Sequence, residues 1–391
     1  MGKLLGLFKK NGKKERNVVI LSIDGGGIRG IVPAYIIKKI AEKLEEEGDE
    51  RPFYSHFDLI AGTSTGALLA LGLASGGKET ILKRDEGKSI RVEEDVRTGL
   101  FKRETVFKGY IPRGLDAKEL EKIYLENAPL IFPRKLSSSM LLQLVKDKYD
   151  EKGLEDFLKK CLQDEKLGDA NVPVVLISYD TDGSKPYLFS SYGTPNVLMR
   201  HGARASSAAP MYFHPFAFID GNGERKVLLD GGLVANNPSF IAYTEAKKLY
   251  PEGTSFTVIS LSTAKPSFSF DPSGNPGGLT GWASPIIKVY MSSQENMTDF
   301  VMENTGDVEY IRISGSGTGG KRIHLDDTSK ESLGELERIA KDVYRENEGK
   351  IERIISMLKE KPTGSGIKLS KGVDEGERAL VQVLDVPTEP S

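Results

Sequence analysis

NVVILSIDGGGIRGIVPAYII, residues 17–37, carries in one line an apolar β-branched run, a cluster of glycines, and apolar residues at helical spacing. The run from Asn17 to Ile23 has no charge inside it and predicts a buried strand, which Asp24-Gly25-Gly26-Gly27 closes in a turn. From Ile31 to Glu47, Ile36, Ile37, Ile40 and Leu44 fall on one side, with Lys38, Lys39, Glu42 and Glu45 on the other. That is the pattern of a helix lying on a core.

The same order recurs immediately. FDLIA (57–61) predicts a second strand, GTSTG (62–66) a tight turn, and 67–74 a second apolar helix. Strands alternating with helices imply a three-layer α/β/α fold around a mostly parallel central sheet. VPVVLIS (172–178), KVLLD (226–230) and SFTVISL (255–261) fit as further strands of that sheet. Helical spacing also predicts helices over 116–130, 154–162 and 331–359.

A chain of 391 residues, 38% apolar and 28% charged, is composed like a soluble globular protein, which excludes a fibrous or wholly disordered class. The formal net charge of −2, with no basic stripe, argues against a nucleic-acid partner. Cys161 is the single cysteine, so neither an internal disulfide nor a multi-cysteine metal site can form; it reads as a small, partly buried residue. No run approaches the roughly 18 apolar residues of a membrane span, and the first residues lack the apolar core of a secretory signal. The expectation is a cytoplasmic protein, free of metal and cofactor.

Residues 17–359 read as a single catalytic domain, with a highly charged insertion at about 76–110 that is either a solvated excursion or a lid. Residues 1–16 interleave Leu4, Leu5, Leu7 and Phe8 with lysines, a short basic amphipathic segment suited to peripheral contact with an anionic lipid surface or simply solvated. Residues 360–391, rich in Gly, Ser, Pro and charge apart from the apolar run 379–386, predict a mobile tail.

Three motifs carry the chemistry. Gly62-Thr63-Ser64-Thr65-Gly66 places a serine between strand and helix, where small neighbours leave its hydroxyl exposed on a strained turn. Asp24-Gly25-Gly26-Gly27-Ile28-Arg29-Gly30 offers unshielded amides that can converge on an oxyanion, with Arg29 adding positive charge nearby. Leu228-Leu229-Asp230-Gly231-Gly232 ends a strand on a carboxylate; strand ends on one edge of a parallel sheet gather, which would bring Asp230 to Ser64. Each motif alone has a plainer reading, as an N-cap, a turn, or a nucleotide loop. Gly25-x-Gly27-x-x-Gly30 matches the dinucleotide fingerprint, but that reading needs an acidic residue closing the second strand, and the strand closes on Ile60-Ala61-Gly62 with Asp58 too early.

Together and in this order, the motifs make the chain resemble the patatin-like phospholipases. The matching stretches are ILSIDGGGIRGIVPAYI (20–36), FDLIAGTSTGALLAL (57–71), ARASSAAPMYFHP (203–215) and LLDGGLVANNP (228–238). The resemblance implies hydrolysis of fatty-acyl esters of phospholipids or related lipids, with Ser64 as nucleophile and Asp230 as its base. It also implies an oxyanion site made by Gly26 and Gly27, with Gly25 and Arg29 beside them. His214 stands where the family often has proline or an apolar residue. A Ser-His-Asp triad is the competitor, and in α/β-hydrolase chain order only His324 would serve it. Acyl transfer to another alcohol would use the same site, and a nonhydrolytic lipid-surface protein is the reading from another class.

Overall fold

The computed structural model of the protein describes residues 17–75, 90–97, 103–111, 116–132, 149–264, 278–315, 323–361 and 382–384. Of 90–97, 103–111, 278–285, 287–288 and 382–384 it describes the backbone alone. In chain order the elements are β1 (Asn17–Ile23), α1 (Ile31–Glu46), β2 (Leu59–Thr63), α2 (Thr65–Ala74), β3 (Ile90–Arg97), β4 (Arg103–Ile111), α3 (Leu120–Ile131) and α4 (Lys152–Leu162). There follow β5 (Val174–Asp180), β6 (Lys185–Ser190), α5 (Met199–Ser206), β7 (Phe216–Ile219), β8 (Arg225–Asp230), α6 (Gly232–Ala235), α7 (Ser239–Leu249) and β9 (Ser255–Leu261). The chain continues through α8 (Gly278–Glu303), β10 (Val308–Ile313), α9 (Lys330–Glu346), α10 (Glu348–Glu360) and β11 (Gln382–Leu384).

β1 is buried beyond its first residue because it pairs in parallel on both edges, with β2 and with β9, and is covered on both faces. Its side chains alternate between two cores. Val19, Leu21 and Ile23 pack with α1, α2 and helices after them, while Val18 and Ile20 pack with Ala242, Tyr243 and Ala246 of α7. One sheet between two helical layers is the three-layer α/β/α fold that the alternating units imply, with β10, β9, β1, β2 and β5 all parallel.

Beyond β5 the sheet changes direction. β8, β7 and β11 continue it antiparallel, and β6 also pairs antiparallel with β5. β6 runs along β5 from Val175 to Asp180 and so fills one edge. The other edge is divided: β2 pairs with Val174 to Ile177, and β8 with Ser178 to Asp180. The two strands therefore meet tip to tip, Thr63 opposite Ile177 and Asp230 opposite Ser178.

This corrects the sequence reading, which put Asp230 at the end of a parallel strand. Strand direction is not written in a six-residue composition, and the acid reaches the serine level by descending toward it. The single helix expected over 331–359 is two, broken at Asn347, whose side-chain amide donates to Ser314 O at 2.8 Å and Val343 O at 2.8 Å. Within the charged insertion, β3 and β4 form a separate antiparallel pair. Within the C-terminal segment read as a mobile tail, Gln382–Leu384 pair with β7. The basic segment 1–16 lies outside the described residues.

Candidate active site

Ser64 joins β2 to α2 with φ 54° and ψ −120°, in the left-handed half of backbone space that a non-glycine residue adopts at a cost. The strain is held by close packing: a Cβ at Gly66 would lie 2.1 Å from Ile23 O, so α2 is pulled directly against β1. Although Ser64 occupies the N-cap position, its side chain makes no capping hydrogen bond, which removes the plainest alternative for this motif.

The hydroxyl of Ser64 instead lies near enough to the Asp230 carboxylate to lower its pKa, and both residues line one cavity. Asp230 is buried, and its Oδ1 accepts the Gly232 amide at 2.6 Å. Burial raises its pKa from 3.8 to about 6, against the lowering effect of the Gly232 amide and the nearby Ser64 hydroxyl. The carboxylate is thus ionised at neutral pH and yet far more basic than a surface aspartate.

Ser206, at the end of α5, fastens both halves. Its Oγ accepts the Ser64 amide at 2.9 Å and donates to Ile177 O at 2.6 Å, while its carbonyl accepts the Gly231 amide at 3.2 Å. Ala208 O accepts the Asp230 amide at 2.9 Å. The buried residues 203–208, the first part of the ARASSAAPMYFHP stretch singled out by resemblance, therefore form a clamp. Neither a hydroxyl nor two carbonyls in a small-residue run advertises that role in sequence.

The glycine loop closes the third side. The Gly26 and Gly27 amides have no partner among the described residues, and both glycines line the same cavity as Ser64 and Asp230. Gly25 differs, because its amide donates to Asn236 O at 3.0 Å while its carbonyl accepts from Asn236 Nδ2 and Thr263 Oγ1, each at 3.0 Å. Arg29 is buried behind the loop, its Nε donating to Gly26 O at 3.3 Å, and it does not line the cavity. Of the four residues expected at an oxyanion site, two face the cavity and two support them.

Under the loop, Asp24 and Arg312 form a buried bidentate ion pair, at 2.8 and 2.6 Å, and Arg312 Nη1 also donates to Ser260 Oγ at 2.7 Å. Asp24 O and N cannot drift while that pair holds, so the glycines that follow are fixed from below. Arg312 sits on β10, nearly the length of the domain away in sequence, and nothing local marks it. Asn236 and Glu295 of α8, hydrogen-bonded to one another, were likewise not foreseen.

The cavity holds about 560 Å³ and is walled largely by apolar groups: Leu68, Ile131, Phe132, Leu154, Phe213 and Leu325 among them. A chamber of that size and lining suits an apolar ligand with one reactive polar group at its end. Ser207, in its wall, has a buried hydroxyl with no partner among the described residues.

No histidine lines the chamber. His56 is bonded to Phe53 O and Asp49, His201 to Arg200, and His324 is exposed, although its neighbour Leu325 reaches the cavity. His214 is half-buried, outside the lining. Burial pushes the Cys161 thiol up to about 11, which leaves it an inert packing group at neutral pH. Among the described residues no cluster of His, Cys, Asp or Glu could hold a metal ion, and no helix is long and apolar enough to cross a membrane.

The structure thus sets a strained serine at a strand-to-helix turn, beside a buried carboxylate, in a three-layer α/β/α fold. The chain belongs to the patatin-like phospholipases: the family model described as Patatin-like phospholipase matches residues 21–243. It is 29% identical to Patatin-like protein 2 of Arabidopsis thaliana over 368 residues, covering 84% of this chain and 83% of that one. It is 25% identical to Probable inactive patatin-3-Kuras 1 of Solanum tuberosum over 361 residues, covering 84% and 87%. The solved structure of VipD from Legionella pneumophila aligns with 85% of this chain and 67% of its own at 12% identity and a TM-score of 0.34, too loose a likeness to bear on the fold. Family membership supports lipid acyl hydrolysis in general terms.

Proposed function

We propose that the protein is a lipid acyl hydrolase in which Ser64 attacks the ester carbonyl and Asp230 acts directly as its base. The observation that carries this is the placing of Ser64 beside the buried Asp230 carboxylate in the lining of an apolar chamber, which Gly26 and Gly27 also line with amides that have no partner among the described residues. The acyl chain lies in the chamber and the ester carbon meets Ser64 Oγ. Asp230 takes the hydroxyl proton as the C–O bond forms, and the negative oxygen is received by the two glycine amides. Collapse of the tetrahedral species expels the alcohol, which leaves with the proton from Asp230.

Water then attacks the acyl-serine, Asp230 accepts its proton, and the fatty acid departs as Ser64 recovers its hydrogen. Histidine has no part in this relay, in keeping with the lining of the chamber. In this account Gly25 and Arg29 are positioning residues, holding the loop whose neighbouring amides do the work. Substrates are phospholipids or related acyl lipids met at a lipid surface from the aqueous side.

The test is release of fatty acid from defined phospholipids by the full chain beside its Ser64→Ala variant. Hydrolysis by the parent and none by the variant is expected. Equal release by both would remove the proposal.

A further inference from the structure

α8 carries an apolar stripe on the wrong side for a core. At about 100° per residue, Ile286, Val289, Tyr290, Met297 and Phe300 fall within about 100° of the helix circumference, with Ser293 among them. A stripe of that width ordinarily packs inward. Here the opposite face does so, through Met291 in the cavity wall, buried Glu295 bonded to Asn236, and buried Met302 in the second core. The stripe is left exposed, Met297 at 61% and Phe300 at 62%.

Two further observations give this face a direction. Ile286, Val289 and Tyr290 line the mouth of the Ser64 cavity, so the stripe runs unbroken from the active site outward. Met211, at the same mouth, is 60% exposed and held at φ 70°, where a side chain other than glycine is strained. Among the described exposed side chains of α8, none from Ile286 to Phe300 is charged; the first is Glu303.

We propose that the Met297–Phe300 end of α8, with Met211 across the cavity mouth, is the surface by which the protein docks on uncharged lipid interfaces and receives substrate directly from them. The occupant follows from continuity and charge. A groove that opens through its own apolar rim into an acyl-sized chamber delivers a lipid without exposing it to water, and a rim whose described exposed side chains carry no charge gains little from anionic headgroups. The inference rests on the proposed lipid acyl hydrolysis, yet docking is read separately from turnover.

The experiment floats the full chain, in the Ser64→Ala background, with phosphatidylcholine vesicles at low and high salt, and compares it with the same protein carrying Met297→Glu and Phe300→Glu. Neither residue lines the cavity. Removing two apolar anchors and adding charge should weaken vesicle binding at least about tenfold, with the parent's binding little changed by salt. With Ser64 intact, the double variant should lose vesicle hydrolysis to a similar degree while hydrolysing a soluble short-chain ester within about twofold of the parent. Undiminished vesicle binding by the double variant would overturn the proposal. So would binding that requires anionic lipid and vanishes at high salt, or a parent that forms a dimer through this face and ignores vesicles. A parent that docks but cleaves no ester would refute the hydrolase reading and leave the docking surface standing.

Discussion

The serine reaches the site on β2, a strand buried along its whole length between parallel neighbours, whereas the aspartate arrives on β8, a partly exposed strand running the other way. The serine side is local: strand, glycine turn and helix follow one another within a few residues, and each glycine has a backbone against it. The acid side is assembled from afar, from β8, α6, the Ser206 clamp and α8, whose outer face is apolar and unpacked. Precision on one side and access on the other is a division of labour. A nucleophile must not move, while a lipid must be able to enter.

The largest effects should come from the two side chains that join the halves. Ser64→Ala and Asp230→Asn should each lower phospholipid hydrolysis roughly ten-thousandfold or more, with circular dichroism unchanged. The two differ in stability. Because burial raises the Asp230 pKa from 3.8 to about 6, the folded state holds its proton more tightly than the unfolded one. Stability is therefore present below the unfolded value and lost as pH rises through the folded one. Asp230→Asn, which cannot ionise, should melt above the parent at pH 7, by up to about 3 kcal/mol. An equal or lower melting midpoint would show that the carboxylate is not under that strain.

Next in size is the serine side's loop. Gly26→Ala would put a Cβ at 2.4 Å from Thr263 Oγ1 and turn the amide aside, and turnover should fall about a hundred- to a thousandfold. Urea unfolding separates this from simple destabilisation, since a loss no greater than the unfolded fraction would deny the amide its role. Smaller still is the effect of pH. Hydrolysis of a soluble ester should fall about tenfold per unit below an apparent pKa near that of Asp230, about 6, and a flat profile down to pH 5 would sharpen suspicion of another base. The smallest effect is expected at His324→Ala and His214→Ala, each within about twofold of the parent.

The same contrast explains what was legible in sequence. β1 and β9 were readable to the residue, because a strand buried on both faces has no choice of composition. The elbow was readable because strain, exposed hydroxyl and close helix packing all demand small residues at fixed spacing. β6 and β7, short and lying on the antiparallel side, carry no such signal, and KPYLFS has a proline, Pro186, at its second position that argues against a strand. α8 was missed because its described apolar residues are divided between an exposed stripe and an inner face that is partly polar, with Gln294 donating to Leu233 O at 2.8 Å and Glu295 bonded to Asn236. The meeting of Ser64 and Asp230 was foreseen by analogy of motif. Its geometry, two strands tip to tip on one edge of β5, was not.

Fluorophosphonate labelling with peptide mass mapping tests the union of the two halves most directly. The adduct should form on Ser64 in the parent, slow as pH drops below about 6, and slow far more in Asp230→Asn at neutral pH. Labelling of Ser64 at the parent's rate in Asp230→Asn, or an adduct on a different serine, would contradict the account.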